Sequence, residues 1–315
     1  MFFADGKEIV DKVMRRKWSE LIILAVLACA ACGEQRISDS KPILELRPSP
    51  TPTPDQFPEG FTLEYDRTDS LKFDGYQIDR LTKKVKVTYS QEMNVPPDRI
   101  DVSYAVLRKN GKRIAKFDAH PETPLNTIDF GLFSFLGSGK KQLAISQTEP
   151  RTGEHWLVDL SDGRIIFDSG DWGVGRDEFG VVDIDQDGVL EISLPLIDFY
   201  MFENMSMAET PLPEIIFKYD KKSRKYLPAN SIFRDYALST AEEQIARLKS
   251  PETPGYLSDR LDIVLQYIYA GEEQKAWQFF DQEYTLPNKE EIRSKVKNIL
   301  AREPVHRYLY PSAHI

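Results

Sequence analysis

Short apolar runs separated by turn residues fill the middle of the chain. Their β-branched and aromatic residues predict strands at KVKVTYS (84–90), VSYAVLRK (102–109), LAISQ (143–147), HWLVDL (155–160), RIIFD (164–168) and EIIFKYD (214–220). Two of the junctions between these runs are Asn-Gly at 110–111 and Asp-Gly at 162–163, which predict tight hairpins, and residues 221–224 predict a third hairpin. The pattern predicts a mainly β domain over residues 61–236.

Helical spacing replaces the strand pattern after residue 237. A hydroxyl residue at 239–240 followed by Glu242 or Glu243 forms a capping box, which predicts the start of a helix. Together with Gly271 as a junction and Asn288 as a cap, this pattern predicts helices over 240–249, 258–270, 272–284 and 288–302. We therefore expect a C-terminal α-helical domain over residues 237–303 and a tail over residues 304–315.

The β region contains an internal similarity. Residues 130–146 align without gaps on residues 179–195, and two glycines and a phenylalanine coincide in the alignment. A unit of about 50 residues with four short strands has the size of one β-propeller blade, and residues 63–118 are a candidate for an earlier unit. Because a closed propeller typically needs about four to eight blades, an open stack or a sandwich remains an alternative, as does a chance alignment.

The second unit contains an acidic loop, DIDQDGVLE, at residues 183–191. Alternating aspartates place three carboxylates on one side of a tight turn, and Gly188 permits that turn. Calcium is a hard cation that takes about six to eight oxygen ligands. A helical EF-hand is excluded because its twelfth position is Leu194 here. The candidate ligands are Asp183, Asp185, Asp187, the carbonyl group of Val189 and Glu191.

This loop resembles the calcium loops of FG-GAP and VCBS repeats, which occur in integrin-type propellers. The resemblance covers roughly residues 128–230. It implies that the loop binds a structural Ca²⁺ ion. The first unit has lost the acids and is expected to bind no metal, because the aligned positions are Ser134, Leu136, Ser138 and Gln142. A solvated acidic turn without an ion is the alternative.

The N-terminal segment has the features of an export signal. Residues 21–31, LIILAVLACAA, are apolar but shorter than the about 20 residues that span a bilayer, and a basic cluster precedes them. Small residues precede Cys32, and Gly33 follows it. This arrangement resembles the lipobox of bacterial lipoproteins, in which the cysteine is diacylated and becomes the first residue. Cys29 is the alternative lipidation site, and a cleaved signal peptide without a lipid is the alternative interpretation.

A proline-rich segment follows the expected anchor. Residues 33–60 contain six prolines, which favour an extended tether over packed structure. We therefore expect residues 1–32 to be a signal segment, with Met14 as its natural start. Gly33 in place of Asp favours an outer-membrane or surface location in the bacterial cell envelope, with the periplasm as the alternative.

Charge and cysteine content narrow the classes of function. The net charge is −9 without a basic stripe, so nucleic acid is excluded as a partner. Both cysteines belong to the N-terminal segment, which leaves metal binding as a means of fixing loops in the body of the protein. The chain carries no HExxH or GxSxG motif, and its four histidines are scattered, so we expect surface or turn positions for them and name no catalytic residue.

A glycine-rich loop, GDWGVGRD at residues 170–177, precedes the acidic loop. Trp172 and Arg176 could form the rim of a ligand site there, because exposed aromatic and arginine side chains favour sugar or peptide contacts. The alternative is that the turn merely packs Trp172 against the fold.

These features predict a non-enzymatic envelope lipoprotein that is held at the membrane by its lipid. Its calcium-stabilised β module would bind a glycan or a protein, or act as a scaffold. One alternative is a hydrolase that uses Asp171, Asp177 and Asp183. Another alternative is an assembly factor that recruits a partner through the helical tail.

Overall fold

The chain is mainly β with a C-terminal helical region. The computed structural model describes residues 61–62, 69–85, 100–118, 127–137, 139–148, 153–175, 180–248, 250–251, 253 and 255–311. Cys29, Cys32, Arg176 and Asp177 lie outside the described residues. No helix in the described part of the chain is long and apolar enough to cross a bilayer.

The described residues form three antiparallel sheets. Their strands are β1 (Phe61–Thr62), β2 (Ser70–Phe73), β3 (Tyr76–Val85), β4 (Ile100–Lys109), β5 (Lys112–Phe117), β6 (Thr127–Phe133), β7 (Gln142–Thr148), β8 (Gly153–Asp159), β9 (Arg164–Asp168), β10 (Gly180–Val182), β11 (Glu191–Pro195), β12 (Glu214–Asp220) and β13 (Lys225–Pro228). Sheet 1 has the order β2-β3-β4-β5 and sheet 2 has the order β6-β7-β8-β9, so each is a simple meander. Sheet 3 has the order β1-β10-β11-β12-β13, in which the first described strand pairs with the edge of the last meander.

The hairpins predicted from sequence are confirmed. Asn110-Gly111 joins β4 to β5, Asp162-Gly163 joins β8 to β9, and residues 221–224 join β12 to β13. Asn110, Gly111 and Gly163 have positive φ, as such turns require. The predicted strand at 84–90 is described only as far as Val85, where β3 ends.

Sheet 2 is the middle layer of the β region. Leu143 and Ile145 pack with Ile78 and Leu107 of sheet 1 in one core, whereas Ala144 belongs to a second core with sheet 3. Successive side chains of a strand point to opposite faces, so a strand between two sheets is buried on both of its faces. This explains why β7 is buried at six of its seven residues. The described strands show stacked sheets and do not show a closed ring.

Six helices follow the sheets in the described part of the chain. They are α1 (Arg234–Ala237), α2 (Ala241–Ala246), α3 (Tyr256–Tyr269), α4 (Glu273–Glu283), α5 (Lys289–Leu300) and α6 (Pro304–Leu309). The helices share one core with sheet 3, in which Val264 and Phe280 are buried with Leu194 and Phe217. Nine of the fourteen residues of α3 are buried, which places α3 at the centre of the helical layer.

Several local predictions for the helical region need correction. The capping box at Thr240 does not form, since no side chain caps α2, and Asn288 accepts a hydrogen bond from Tyr284 instead of capping α5. Residues 304–309, which were predicted to belong to a tail, form α6. His155 and His306 are buried rather than exposed, because each lies in an element that packs against a core.

Glu303 is a fully buried carboxylate that caps α6. Its side chain accepts hydrogen bonds from the amides of Val305 at 2.7 Å and His306 at 2.5 Å, and from the Tyr269 hydroxyl at 3.3 Å. The pKa of Glu303 is raised to about 7, mainly by burial and in smaller part by the nearby charge of Asp198, although these hydrogen bonds act in the opposite direction. The cap therefore carries a carboxyl group that binds a proton more readily in the folded chain than in the unfolded one.

This shift predicts a fall in stability as the pH rises. Between the usual value of 4.5 and about 7, the folded state binds more protons at Glu303 than the unfolded state. The free energy of unfolding of the wild type should therefore decrease across this range, by about 2–3 kcal/mol from Glu303 alone. Glu303→Gln should remove that part of the decrease in urea unfolding experiments at several pH values.

Asp198 and His306 remain in both proteins, so the difference between the two pH profiles isolates Glu303. Parallel profiles for the wild type and Glu303→Gln would contradict the raised pKa of this group.

Candidate metal centre

The acidic loop connects β10 to β11 at one end of sheet 3. It is closed by its own side chains, since the Gly188 amide donates to Asp183 Oδ2 at 3.0 Å and the Val189 amide donates to Asp187 Oδ1 at 2.8 Å. Gln186 and Gly188 have positive φ, which bends the backbone twice within three residues. The sequence DIDQDG therefore folds into a compact turn whose carboxylates converge.

Three aspartates of the loop lie close enough together to share one cation. Asp183, Asp185 and Asp187 each offer a carboxylate oxygen, and these atoms lie within 4.8 Å of one another. Like charges at such separations repel, so a positive group nearby would stabilise the arrangement. The structure thus brings together the three aspartates that the sequence had singled out.

Glu191 begins β11 and differs from the aspartates in its burial. Its side chain is fully buried and accepts a hydrogen bond from the Ile184 amide at 2.8 Å, which ties the loop to the sheet. Burial raises the pKa of Glu191 above its usual value, although the hydrogen bonds from Ile184 and Lys218 act in the opposite direction. Glu191 therefore holds the loop to β11 through a hydrogen bond and also offers a carboxylate oxygen as a metal ligand.

Lys218 on β12 supplies a positive group at this site. Its Nζ lies 2.6 Å from Asp185 Oδ2, 3.4 Å from Asp187 Oδ2 and 3.2 Å from Glu191 Oε1. Partial burial acts to lower the pKa of Lys218, but the hydrogen bonds to Asp185 and Glu191 outweigh this effect and raise it. The ammonium group therefore stays charged and neutralises part of the acidic loop.

Sequence reasoning missed Lys218. Ile192 of β11 pairs with Phe217 of β12, so the next residues of this antiparallel register, Glu191 and Lys218, lie beside each other. Opposite charges across neighbouring strands stabilise a sheet. This signal becomes visible only once the register is known, because residues 196–213 separate the two strands and give no indication of it.

The acidic loop packs against the loop between β6 and β7. The Leu190 amide donates to the Phe135 carbonyl at 2.8 Å, and a Cβ atom added to Gly137 would lie 2.6 Å from the Gly188 carbonyl oxygen. Gly137 also has a positive φ, so the close approach of the two loops requires glycine there. The position of the acidic loop therefore depends on the neighbouring sheet.

Each of the two loops is supported by an equivalent hydrogen bond from a backbone amide to a buried side chain. Gln142 is buried, and its Oε1 accepts from the Leu136 amide at 3.1 Å, as Glu191 accepts from Ile184. Gln142 pairs with Phe133 at the end of β6, and Glu191 pairs with Val182 at the end of β10, so both stand at the same place in their hairpins. Gln142 is neutral, and it provides the backbone support without the charge.

The donor set of the acidic loop fits a hard cation. All of its side-chain donors are carboxylate oxygens, the type of ligand that Ca²⁺ prefers. Asp183 Oδ1 is buried and accepts no hydrogen bond from any residue that the structure describes. A buried carboxylate oxygen without a donor is unfavourable, and a bound cation would satisfy it. Val189, the expected carbonyl ligand, lies in the same turn.

The remaining candidate residues lie elsewhere. Trp172 is half-buried and packs its ring 5.9 Å from Phe217 and 5.7 Å from Tyr308, measured between ring centroids. Because Arg176 lies outside the described residues, the ligand rim predicted for the two residues stays a prediction. Asp171 is exposed at the end of a short 3₁₀ turn, and the hydrolase alternative is not tested by its position.

A cleft of about 500 Å³ opens between the chain before β12 and helices α2 and α3. Burial raises the pKa of Asp262 in this cleft, with a further contribution from the charge of Asp259, although hydrogen bonds from Gln266 and Gln244 act in the opposite direction. No local sequence pattern signals this cleft, because three separate segments of the chain form it. Its lining residues are Thr210, Pro211, Leu212, Gln244, Arg247, Ser258, Asp259 and Asp262.

Comparison of the chain with protein-family models, with curated proteins and with solved structures finds no match.

The support that Glu191 gives to the loop can be separated from its charge. Glu191→Ala should lower the free energy of unfolding by about 2–4 kcal/mol, because the partly buried Ile184 amide loses its acceptor and Lys218 loses a buried anionic partner. Glu191→Gln should retain most of the stability, since an amide oxygen can accept this bond as Gln142 does in the neighbouring loop. Urea unfolding in the presence of a chelator measures both variants without a metal contribution.

An equal loss in the two Glu191 variants would contradict this account, because it would assign the stabilisation to the charge rather than to the hydrogen bond.

Proposed function

We propose that this chain is a lipid-anchored protein of the bacterial cell envelope whose β region is stabilised by calcium. In this proposal the protein is a non-enzymatic binding or scaffold module, with a glycan or a protein as its ligand. The observation that carries the proposal is the convergence of three aspartate oxygens within 4.8 Å in a loop built from a calcium-type motif.

The proposed ligands of the ion are Asp183, Asp185, Asp187, the Val189 carbonyl and Glu191. The Oδ1 atom of Asp183 supports this assignment, because a cation would satisfy a buried oxygen to which no described residue donates a hydrogen bond. An ion bound there would supply positive charge to a loop of converging carboxylates. Since only the folded chain brings these carboxylates together, calcium would stabilise the fold rather than act in a reaction.

We also propose that the sheets are propeller-like repeats related to the FG-GAP and VCBS families. In support of this, Phe133 pairs with Gln142 in sheet 2, and Val182 pairs with Glu191 at the corresponding place in sheet 3. Each residue of the second pair lies 49 positions after its counterpart in the first pair, which is the offset of the sequence alignment. Sheets 1 and 2 are four-stranded meanders and β10 to β13 form a third within sheet 3, each of the size expected for one repeat. The stacking of the sheets would make a rigid module on which a ligand site can be placed.

The location in the envelope is proposed from the sequence of the N-terminal segment. Cys32 follows an apolar run with a basic start and is followed by a proline-rich tether over residues 33–60. A lipid on Cys32 would hold the module at a membrane, and the tether would keep it clear of the surface.

The proposed ligand site of the module is the cleft between α2, α3 and the chain before β12. This cleft offers hydroxyl, amide and charged groups to a polar ligand.

Calcium should raise the melting temperature of the full-length chain purified in detergent. At calcium concentrations far above its dissociation constant, the rise should be about 5 °C or more compared with the chelated protein. An Asp183→Ala/Asp187→Ala variant should show no rise, because it has lost two of the proposed ligands. Asp171→Ala is the matched control, since it removes an exposed carboxylate outside the loop and should respond like the wild type.

Equal melting temperatures of the wild type in calcium and in chelator would refute the calcium site. A calcium response that persists in the double variant would place the ion elsewhere.

Cys32→Ser should abolish lipidation and release the protein from the membrane fraction of the bacterial host. Cys29→Ser is the control and should leave the protein at the membrane. Metabolic labelling with a clickable fatty acid, followed by cell fractionation, measures both effects. Loss of label in Cys29→Ser, with retention in Cys32→Ser, would assign the lipid to Cys29.

A further inference from the structure

We infer that Lys218 is the resident cation of the acidic loop and that calcium binds by displacing its ammonium group. Lys218 would thereby set the calcium affinity of the loop and keep the loop folded when calcium is scarce. This inference rests on the proposed calcium site and assigns its regulation to a residue outside the loop motif.

The first argument is the position of the ammonium group. It contacts Asp185, Asp187 and Glu191 at 2.6–3.4 Å, and these are three of the four acidic residues of the loop. A lysine ammonium has three N–H donors, and three acceptors satisfy them. Lys218 therefore occupies, with one positive charge, the place where a cation would meet the same three side chains.

The second argument is that the two cations exclude each other. Calcium contacts its oxygen ligands at about 2.3–2.6 Å, so an ion held by Asp185 and Glu191 would lie within a few ångströms of the present Nζ position. A divalent ion and an ammonium group at that separation repel strongly, because the site is partly shielded from water. Calcium binding therefore requires that the ammonium group move away.

The third argument is that Lys218 is able to move. Its side chain is one-quarter exposed, and a lysine has a flexible four-carbon stem. The ammonium group lies 5.3 Å from the centroid of the Phe233 ring, on the side of sheet 3 where the chain leaves β13 for α1. The stem of a lysine can keep its packing while the charged end turns to water.

The exchange has a consequence for the stability of the loop. Without calcium, the ammonium group offsets the repulsion among the carboxylates and the sheet stays intact. With calcium, part of the binding free energy is spent in releasing Lys218, so the affinity is lower than the ligand set alone would give. Dissociation constants of about 10⁻⁴–10⁻³ M are typical of extracellular calcium modules and suit an envelope protein.

Lys218→Met tests the exchange in the full-length chain, because methionine keeps the length of the stem and removes the charge. Titration with calcium chloride in a calorimeter should give a dissociation constant about tenfold or more below that of the wild type. In chelator the variant should melt below the wild type, and its rise in melting temperature on calcium addition should be larger. Lys221→Met, an exposed lysine of the same hairpin, should behave like the wild type.

A second measurement uses the wild type alone and does not depend on whether the variant folds. Lys218 should react more with an amine-acetylating reagent after calcium is added, because its ammonium group leaves the carboxylates. Mass spectrometry quantifies the acetylation, and Lys221 serves as the internal reference whose labelling stays constant.

The outcomes separate this inference from the proposed function. Equal calcium affinity in the wild type and Lys218→Met, or unchanged labelling of Lys218, would overturn the exchange while leaving the calcium site in place. Absence of calcium binding in both proteins would remove the site itself, and the exchange with it. Binding in Lys218→Met alone would also overturn the exchange, because calcium would then fail to displace the ammonium group in the wild type.

Discussion

The middle sheet is buried on both faces, and this constraint organises the rest of the β region. Leu143 and Ile145 of β7 need an apolar surface on one side, which sheet 1 provides, and Ala144 lies in the core with sheet 3 on the other. Sheet 3 in turn shares its core with the helices. Removing any of these layers would expose apolar surface to water, so the sheets and the helical layer depend on one another.

The acidic loop depends on this stacking as well as on its own residues. Phe135 and Gly137 of the neighbouring loop hold it by a backbone hydrogen bond and a close glycine contact. Glu191 and Lys218 reach it from two strands of sheet 3, so a site that looks like a surface turn in sequence is anchored on three sides. A rigid frame of this kind holds carboxylates at fixed distances, which is the requirement for selective binding of a hard cation.

Much of the fold could be predicted because the signals are local. Strands β9 and β12 have the bounds that their apolar runs indicate, and the Asn-Gly and Asp-Gly turns close the expected hairpins. Helix capping was less predictable, because the side chain of Asn288 bonds Tyr284 rather than the helix start. The burial of His155 and His306 was missed, since burial depends on which elements pack together and not on the neighbouring residues.

The sequence by itself determined the mainly β character, the helical C-terminal region and the acidic loop motif, because periodicity and turn chemistry act over a few residues. Only the tertiary structure decided what surrounds that loop. Lys218 is separated from the motif by a long connection, and the β11–β12 register brings it to within hydrogen-bonding distance of the carboxylates. Electrostatic balance depends on distance in space, so no pattern along the chain could have shown that Lys218 lies among these carboxylates.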